Sequence, residues 1–207
     1  MNLDKMSLSL LKGVGDKMLE KLHRLGLETV QDLLFHLPLR YEDRTRVCPI
    51  AGLMPGMHVA VVGDIVDNNI SYGRKRMLVC RMRDHSGTLT LRFFNFAAAQ
   101  KNNLTAGTRL RAFGEIRPGH HGLEIIHPEY SLLQDDQPVA AETSLTPVYG
   151  TTEGLRQISL RQLTDQALAL LEQQPLQEWL PDGLYDRQLG LNDAVRLLHR
   201  PPANVAL

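Results

Sequence analysis

The chain has 207 residues, of which 43% are hydrophobic, and its 23 lysines and arginines balance its 23 aspartates and glutamates. This length and composition predict a globular protein with one large or two small domains rather than a low-complexity chain. The zero net charge excludes attraction of a polyanion by the charge of the whole protein, so any nucleic-acid contact has to come from local charge asymmetry.

Residues 1–53 are predicted to form a helical N-terminal segment. Apolar residues recur at helical spacing from Ser7 to Leu37 and are interrupted by glycines, which predicts short helices joined by tight turns. Within this segment, Gly13, Val14 and Gly15 resemble a helix-hairpin-helix turn, in which glycines let backbone amides at a helix start approach a phosphate. A purely structural turn between two helices is the alternative.

Residues 54–133 are predicted to form a β domain. Alternating apolar residues indicate strands at 59–66, 77–84, 88–96, 108–116 and 123–127, with a short alanine-rich helix at 97–104. This order is that of an OB-fold, a barrel that commonly binds oligonucleotides across its second and third strands. The predicted fold class is therefore α+β, an OB-fold five-stranded β-barrel flanked by N-terminal and C-terminal helical segments.

The third predicted strand carries an aromatic cluster, Phe93, Phe94 and Phe96, which holds three of the five phenylalanines in the chain. Exposed aromatic rings beside positive charge bind nucleobases. Strand alternation places Phe94 with Arg92 on one face and Phe93 with Leu91 on the other, so the two adjacent rings cannot both be in the core. We predict that Phe94 and Phe96 stack on DNA bases, with core packing as the alternative.

Basic residues occur near this cluster, on the second and third predicted strands and in the turn before the second. Six of them occur between Tyr72 and Arg92, against the single acidic residue Asp84. We predict that these six contact DNA phosphates: Arg74, Lys75, Arg76, Arg81, Arg83 and Arg92. A solvated charged face is the alternative.

Residues 134–207 are predicted to be a loop followed by a helical segment. Residues 134–143 are polar and acidic, and residues 145–149 read as extended because of a proline. Ser159 is predicted to cap a helix that ends near Gln173, and Asn192 to cap a second helix that ends near His199.

The chain offers little sign of metal, redox or membrane chemistry. Cys48 and Cys80 lack CxxC or histidine spacing, which predicts neither a disulfide framework nor a zinc site. His120, His121, His127 and Glu129 likewise lack the spacing of a metal or acid–base cluster, which disfavours a hydrolase. No signal-peptide h-region and no apolar run of about 18 residues occurs, so we expect a cytoplasmic protein with no membrane contact.

Six segments occur along nearly the whole chain: LKGVG (11–15), DLLFHLPLRYEDR (32–44), RFFN (92–95), IHPEY (126–130), LTPVY (145–149) and LHRPP (198–202). In this order they resemble the N-terminal wedge region of the RecG family, bacterial ATP-dependent helicases that remodel branched DNA. The resemblance implies a wedge that recognises and splits stalled replication forks and Holliday junctions in DNA repair and recombination.

The resemblance also implies individual roles. Family wedges stack bases on aromatic residues at the position of Phe94, and relatives can carry a second aromatic residue where this chain has Ala98. ATP and Mg²⁺ are implied for the motor of the parent helicase. Because no GxxxxGK[ST] loop occurs in these residues, we expect no cofactor in this chain and no ATP hydrolysis by it alone.

The implied partner is branched DNA, bound by a monomer that acts on one junction. The alternative is a protein-interaction OB module that docks the tail of a single-stranded DNA-binding protein. OB-folds also bind peptides in the same groove, and an acidic peptide would suit the same basic face.

Overall fold

A computed structural model describes residues 2–72, 75–133, 143–179, 181 and 189–204 of the chain. The α-helices are α1 (Asp16–Arg24), α2 (Val30–Phe35), α3 (Ala98–Asn103), α4 (Gln157–Gln173) and α5 (Leu191–His199). The strands are β1 (Arg40–Glu42), β2 (His58–Tyr72), β3 (Arg76–Arg83), β4 (Thr88–Phe94), β5 (Arg109–Gly119), β6 (Gly122–Ile126), β7 (Glu129–Leu132) and β8 (Thr146–Val148).

The chain divides into two compact units. Residues 1–42 and 144–207 form the helical unit, and residues 43–143 form the barrel unit. Each has its own hydrophobic core, built in the helical unit from α1, α2, α4 and α5, and in the barrel unit from the inward faces of the strands. The barrel unit thus includes residues 43–53, which the sequence pattern assigned to the N-terminal segment.

The barrel unit is a closed ring of five strands. The hydrogen-bonded order is β2-β3-β4-β6-β5, and β5 pairs again with β2 to close the ring. Along the chain, helix α3 lies between β4 and β5, as the sequence predicts. The α+β fold class with an OB-fold barrel is therefore confirmed, and β7 is an additional strand that pairs with β5 and was not predicted.

Strand β2 closes the ring because it pairs with two neighbours in succession. Its first half pairs with β5 and its second half with β3, and Asp64 is in register with both Arg109 and Arg83. Gly63 lies at this transition. A Cβ built on Gly63 would be 2.6 Å from the backbone oxygen of Arg83, so only glycine lets the strands approach this closely.

Arg44 anchors the start of the barrel unit. Its Nη1 lies 2.8 Å from Oε2 of Glu129, and its guanidinium lies 4.0 Å from the centre of the Phe113 ring. The Arg44 side chain is only 9% exposed, and its backbone oxygen accepts a hydrogen bond from Arg111. The last arginine of the DLLFHLPLRYEDR segment therefore has a structural role.

The helical unit contains a small antiparallel sheet as well as its helices. Strands β1 and β8 pair with Tyr41 opposite Pro147, and the Tyr41 hydroxyl donates to the Leu198 carbonyl at 2.6 Å. Helix α2 begins with a capping box, in which Thr29 and Asp32 each accept a hydrogen bond from the other's backbone amide. The helices predicted near both ends of the sequence thus belong to one core.

Two helix caps predicted from the sequence are wrong. Helix α4 begins at Gln157, so Ser159 lies inside its first turn instead of capping it. Helix α5 begins at Leu191 after Gly190, and Asn192 uses its side chain elsewhere. The Asn192 amide binds both backbone groups of Leu176, at 2.8 and 3.3 Å, because pairing with this distant segment satisfies more polar atoms than a local cap would.

Cys80 is fully buried among the barrel strands, as the sequence predicts. Burial raises the pKa of its thiol to about 12, so Cys80 acts as a small apolar residue. Cys48 and Cys80 are both free thiols. In the described part of the chain, no helix has the length and hydrophobicity needed to cross a bilayer.

The helical unit should lose stability in mild acid because of His199. This residue is fully buried; its Nε2 donates to the Leu34 carbonyl at 2.9 Å, and its Nδ1 lies 2.9 Å from the Tyr149 hydroxyl. Burial lowers the pKa of His199 below its ordinary value of 6.5. Between the two pKa values the unfolded chain binds the proton and the folded chain does not, so the free energy of unfolding falls as the pH drops below 6.5.

Urea unfolding at pH 7.5 and pH 5.5, followed by circular dichroism, measures this effect. His199→Gln, which cannot titrate, should show a smaller difference between the two pH values than the unaltered chain. An equal difference in both proteins would show that other groups cause the acid sensitivity.

Candidate nucleic-acid interface

The second and third strands of the ring, β3 and β4, present one outward surface, which we call the β3–β4 face. Its cross-strand pairs are Met77 with Phe94, Val79 with Arg92, Arg81 with Thr90, and Arg83 with Thr88. Phe94 lies at one end of this face and Arg83 at the other. The face combines an aromatic end with three arginines, the pattern that single-stranded nucleic acid binds.

The two adjacent phenylalanines point in opposite directions, as the sequence predicts. Phe93 is 2% exposed and belongs to the barrel core with the fully buried Leu91. Phe94 and Arg92 lie on the outward side and are half-buried. Phe94 is the last residue of β4, so its ring lies where the strand ends.

Phe96 has protein partners on both sides. It is half-buried and packs against the barrel core, while the Arg76 guanidinium lies 4.7 Å from the centre of its ring. A cation over an aromatic face is an attractive arrangement of its own. A nucleobase could use that face of Phe96 only by displacing Arg76.

Arg92 is held by a carboxylate within the barrel. Its Nε lies 2.7 Å from Oε2 of Glu124, and the two side chains are only 18% and 10% exposed. Gly119 makes room for this pair, because a Cβ at that position would collide with the Glu124 carboxylate. Any phosphate contact by Arg92 would have to compete with Glu124.

Arg81 also has an acidic partner, Asp67 on β2. Its Nη2 and Nε lie 2.5 and 2.7 Å from Oδ2 of Asp67. This pair is more exposed than the Arg92 pair, at 58% and 34%, so water and salt weaken it. Arg81 can therefore exchange its carboxylate for a phosphate at lower cost than Arg92.

The remaining predicted cations are more accessible. Lys75, Arg76 and Arg83 are all exposed, and none of them forms an ion pair with another residue that the structure describes. Arg74 lies outside the described residues. Lys75, Arg76 and Arg83 are thus the members of the cluster that form no ion pair with a carboxylate that the structure describes.

Arg83 opens onto a cavity of about 730 Å³, which Arg109, Asp64 and His85 also line. Asp84 lies in the wall, where burial alone would raise its pKa, but hydrogen bonds from Ile50, Ser86 and Gly87 outweigh burial and lower it to about 2. The Asp84 carboxylate is therefore occupied by these hydrogen bonds, two of whose donor residues, Ser86 and Gly87, lie in the β3–β4 turn. The sequence does not indicate Arg109, because it lines the same cavity as Arg83 only through the pairing of β2 with both β3 and β5.

The turn from Gly13 to Gly15 precedes helix α1 in the helical unit. Gly13 has φ of +90°, Val14 is half-buried, and Gly15 precedes the first residue of the helix. The Lys12 amide donates to Gln166 on α4 at 2.7 Å, and the first turn of α1 carries the acidic Asp16. A three-residue 3-10 helix, Leu8–Leu10, precedes the turn, and the Asp16 carboxylate opposes a phosphate at the start of α1.

His127 adds a ring to the aromatic end of the β3–β4 face. Its imidazole is exposed, and the centre of its ring lies 5.4 Å from that of Phe94 and 6.5 Å from that of Phe93. In the sequence, His127 suggests only a metal or acid–base role, which its spacing disfavours. No local signal could have placed it here, because it lies 33 residues after Phe94 and is brought to it by the pairing of β6 with β4.

Sequence comparison identifies similar proteins. The RecG wedge domain family matches residues 7–171. The ATP-dependent DNA helicase RecG of Escherichia coli strain K12 is 51% identical over 205 residues, which cover 99% of this chain and 30% of that protein. RecG of Haemophilus influenzae is 46% identical over 99% of this chain and 30% of its own length. RecG of Thermotoga maritima is 28% identical over 92% of this chain and 24% of its own length.

Structural comparison gives the same result. A solved structure of RecG bound to a three-way DNA junction aligns with 95% of this chain and 27% of its own chain, with a TM-score of 0.77 and 26% sequence identity. The chain spans about 30% of the length of the curated relatives with the highest identities given above.

Proposed function

Because this chain belongs to the RecG wedge family, we propose that it binds branched DNA and separates the strands of replication forks and Holliday junctions. The observation that carries the proposal is the outward Phe94 at the end of the β3–β4 face, in a chain that aligns with junction-bound RecG. ATP and Mg²⁺ would be bound by the remaining part of a RecG-type helicase, beyond the matched 205 residues.

Phe94 is proposed to stack on an unpaired base at the branch point. Phe94 is half-buried and ends strand β4, so the strand holds its backbone while part of the side chain stays accessible. Stacking on an aromatic ring is worth about 1–3 kcal/mol per base and tolerates any sequence. This suits a protein that must recognise the shape of a junction wherever it forms. Phe96 is proposed as a secondary contact, since Arg76 covers its ring.

The basic residues of the cluster are proposed to hold the phosphates of the duplex arms. Lys75, Arg76 and Arg83 are the first choices because their charges are accessible. Arg81 and Arg92 would join by exchanging their carboxylate partners for phosphate, and Arg74 keeps its proposed role from charge alone. The turn at Gly13, Val14 and Gly15 is a further proposed phosphate contact, on the helical unit.

Removal of two of these charges should flatten the salt dependence of binding. In Lys75→Gln/Arg83→Gln, the slope of log Kd against log salt should fall by about 2, since each phosphate contact contributes about 0.9. Arg117→Gln is the matched control, because Arg117 is ion-paired with Glu115 on β5 and should leave the slope unchanged. An unchanged slope in the double variant would remove Lys75 and Arg83 from the interface.

Fluorescence anisotropy with the 207-residue chain tests the proposal directly. A three-way junction, a linear duplex and a single strand of matched length are titrated at two salt concentrations. The proposal requires tighter and salt-sensitive binding to the junction. Equal affinity for all three DNAs, or no binding, would contradict it, and displacement of the junction by an acidic peptide at low concentration would favour the peptide-docking alternative.

A further inference from the structure

Two residues next to Phe94, one following it in the chain and one close to it in space, have a costly backbone conformation. In the described part of the chain, Asn95 and His127 are the two residues other than glycine with positive φ, at 53° and 50°. Asn95 follows Phe94 directly, and His127 contacts it through space. Such conformations cost of order 1–3 kcal/mol each and persist where the surrounding structure enforces them, often at binding sites.

His127 is held in this conformation by the end of strand β4. Its backbone amide donates to the Arg92 carbonyl at 2.7 Å, which extends the parallel pairing of β4 with β6 by one hydrogen bond. The chain then turns at the buried Pro128 and continues as β7, which pairs with β5, as β6 also does. The positive φ of His127 is therefore the point at which the chain leaves β4 and keeps β5 as its partner.

This turn directs the imidazole toward Phe94. The Phe94 backbone amide donates to Nε2 of His127 at 3.4 Å, a long hydrogen bond in which a side chain replaces a strand carbonyl as the acceptor. The same imidazole packs on the Phe94 ring at 5.4 Å and at an angle of 55°. One side chain thus fixes both the backbone and the ring of Phe94.

The position of His127 is not explained by core packing. Its side chain is exposed, whereas Phe93 beneath it fills the core. The His127 ring contributes little to the core and its backbone is strained, so this arrangement does not stabilise the barrel. It does orient the half-buried Phe94 ring next to it, and ring orientation determines how well a base can stack.

We infer that His127 is a positioning residue for DNA binding, which holds Phe94 in the orientation that stacks on a base of the junction. This inference rests on the proposed function. His127 acts through Phe94, so the contribution of His127 to junction affinity should depend on the presence of the Phe94 ring.

A double-mutant cycle on junction binding tests the inference. His127→Gly is the main variant, because glycine adopts a φ of 50° without strain and preserves the turn. It should weaken junction binding by about 3- to 10-fold, the range expected for loss of one hydrogen bond with its ring contact. In the Phe94→Ala background, His127→Gly should cause no further loss. A full additional loss there would overturn the positioning role.

His127→Asn provides the conservative variant. Asparagine tolerates positive φ and its amide oxygen can accept the Phe94 amide, so it should retain part of the affinity that His127→Gly loses. Hydrogen exchange measured without DNA tests the same hydrogen bond. The Phe94 amide proton should exchange faster in His127→Gly than in the unaltered chain. Unchanged exchange in His127→Gly would overturn the inference.

The cycle also separates the inference from the proposed function. Normal junction binding by His127→Gly, together with weak binding by Phe94→Ala, would overturn the role of His127 and leave the wedge function intact. Normal binding by Phe94→Ala would contradict base stacking by Phe94 itself, and the positioning role would fall with it.

Discussion

Replacing Phe94 by alanine is expected to weaken binding to a three-way junction by about 5- to 150-fold, since one stacked base is worth about 1–3 kcal/mol. Binding to a linear duplex should change much less, because a paired duplex offers no unstacked base at this position. The barrel should remain folded, since Phe94 lies on the outward side of β4 and Phe93 supplies the core contact. Anisotropy titrations of both DNAs measure the difference.

Three further variants test whether the loss is specific to the aromatic ring of Phe94. Phe94→Trp keeps an aromatic face and should retain junction affinity, whereas Phe94→Leu keeps the apolar character and should lose most of it. Phe96→Ala should cost less than Phe94→Ala, because Arg76 already covers the Phe96 ring. Equal losses on junction and duplex in Phe94→Ala would argue against a wedge role for this residue.

Replacing Gly63 by alanine is expected to destabilise the barrel unit by about 3 kcal/mol or more. The added methyl group would lie 2.6 Å from the Arg83 backbone oxygen and 3.1 Å from Cγ of Met82. Backbone atoms cannot move aside as a flexible side chain can. The collision would separate β2 from β3 at the point where β2 passes from one partner to the other.

Hydrogen exchange in the β2 and β3 segments, measured by mass spectrometry, reports on the barrel unit alone and therefore suits this test. Gly52→Ala is the matched control: its Cβ would meet only Cγ of Pro49 at 3.8 Å, an ordinary contact. Similar protection of β2 and β3 in both variants would mean that the strands can separate slightly without loss of pairing.

The sequence predicts those parts of the interface that depend on local periodicity. Strand alternation alone separates Phe93 from Phe94, because a strand must point consecutive side chains to opposite sides. The order of strands around α3 likewise predicts the OB-fold. These features follow from neighbouring residues, and the structure confirms them.

The sequence does not predict which charges are neutralised. Arg92 and Arg81 read as equivalent to Arg83, yet Glu124 and Asp67 pair with the first two and not with the third. These partners come from β6 and β2, and the register that joins them is set by ring closure. The role of His127 depends on the same long-range pairing. Register between distant strands has no signature in a single sequence.

The division of the helical unit between two stretches of sequence has a consequence for folding during translation. Leu33 of α2 is fully buried in a core that it shares with Leu163 of α4, and roughly one hundred residues of barrel unit are synthesised between them. At usual translation rates this interval lasts roughly 5–20 s. The nascent chain therefore presents the apolar side of α2 to the cell, and to any chaperone near the ribosome, while the barrel strands are already able to pair.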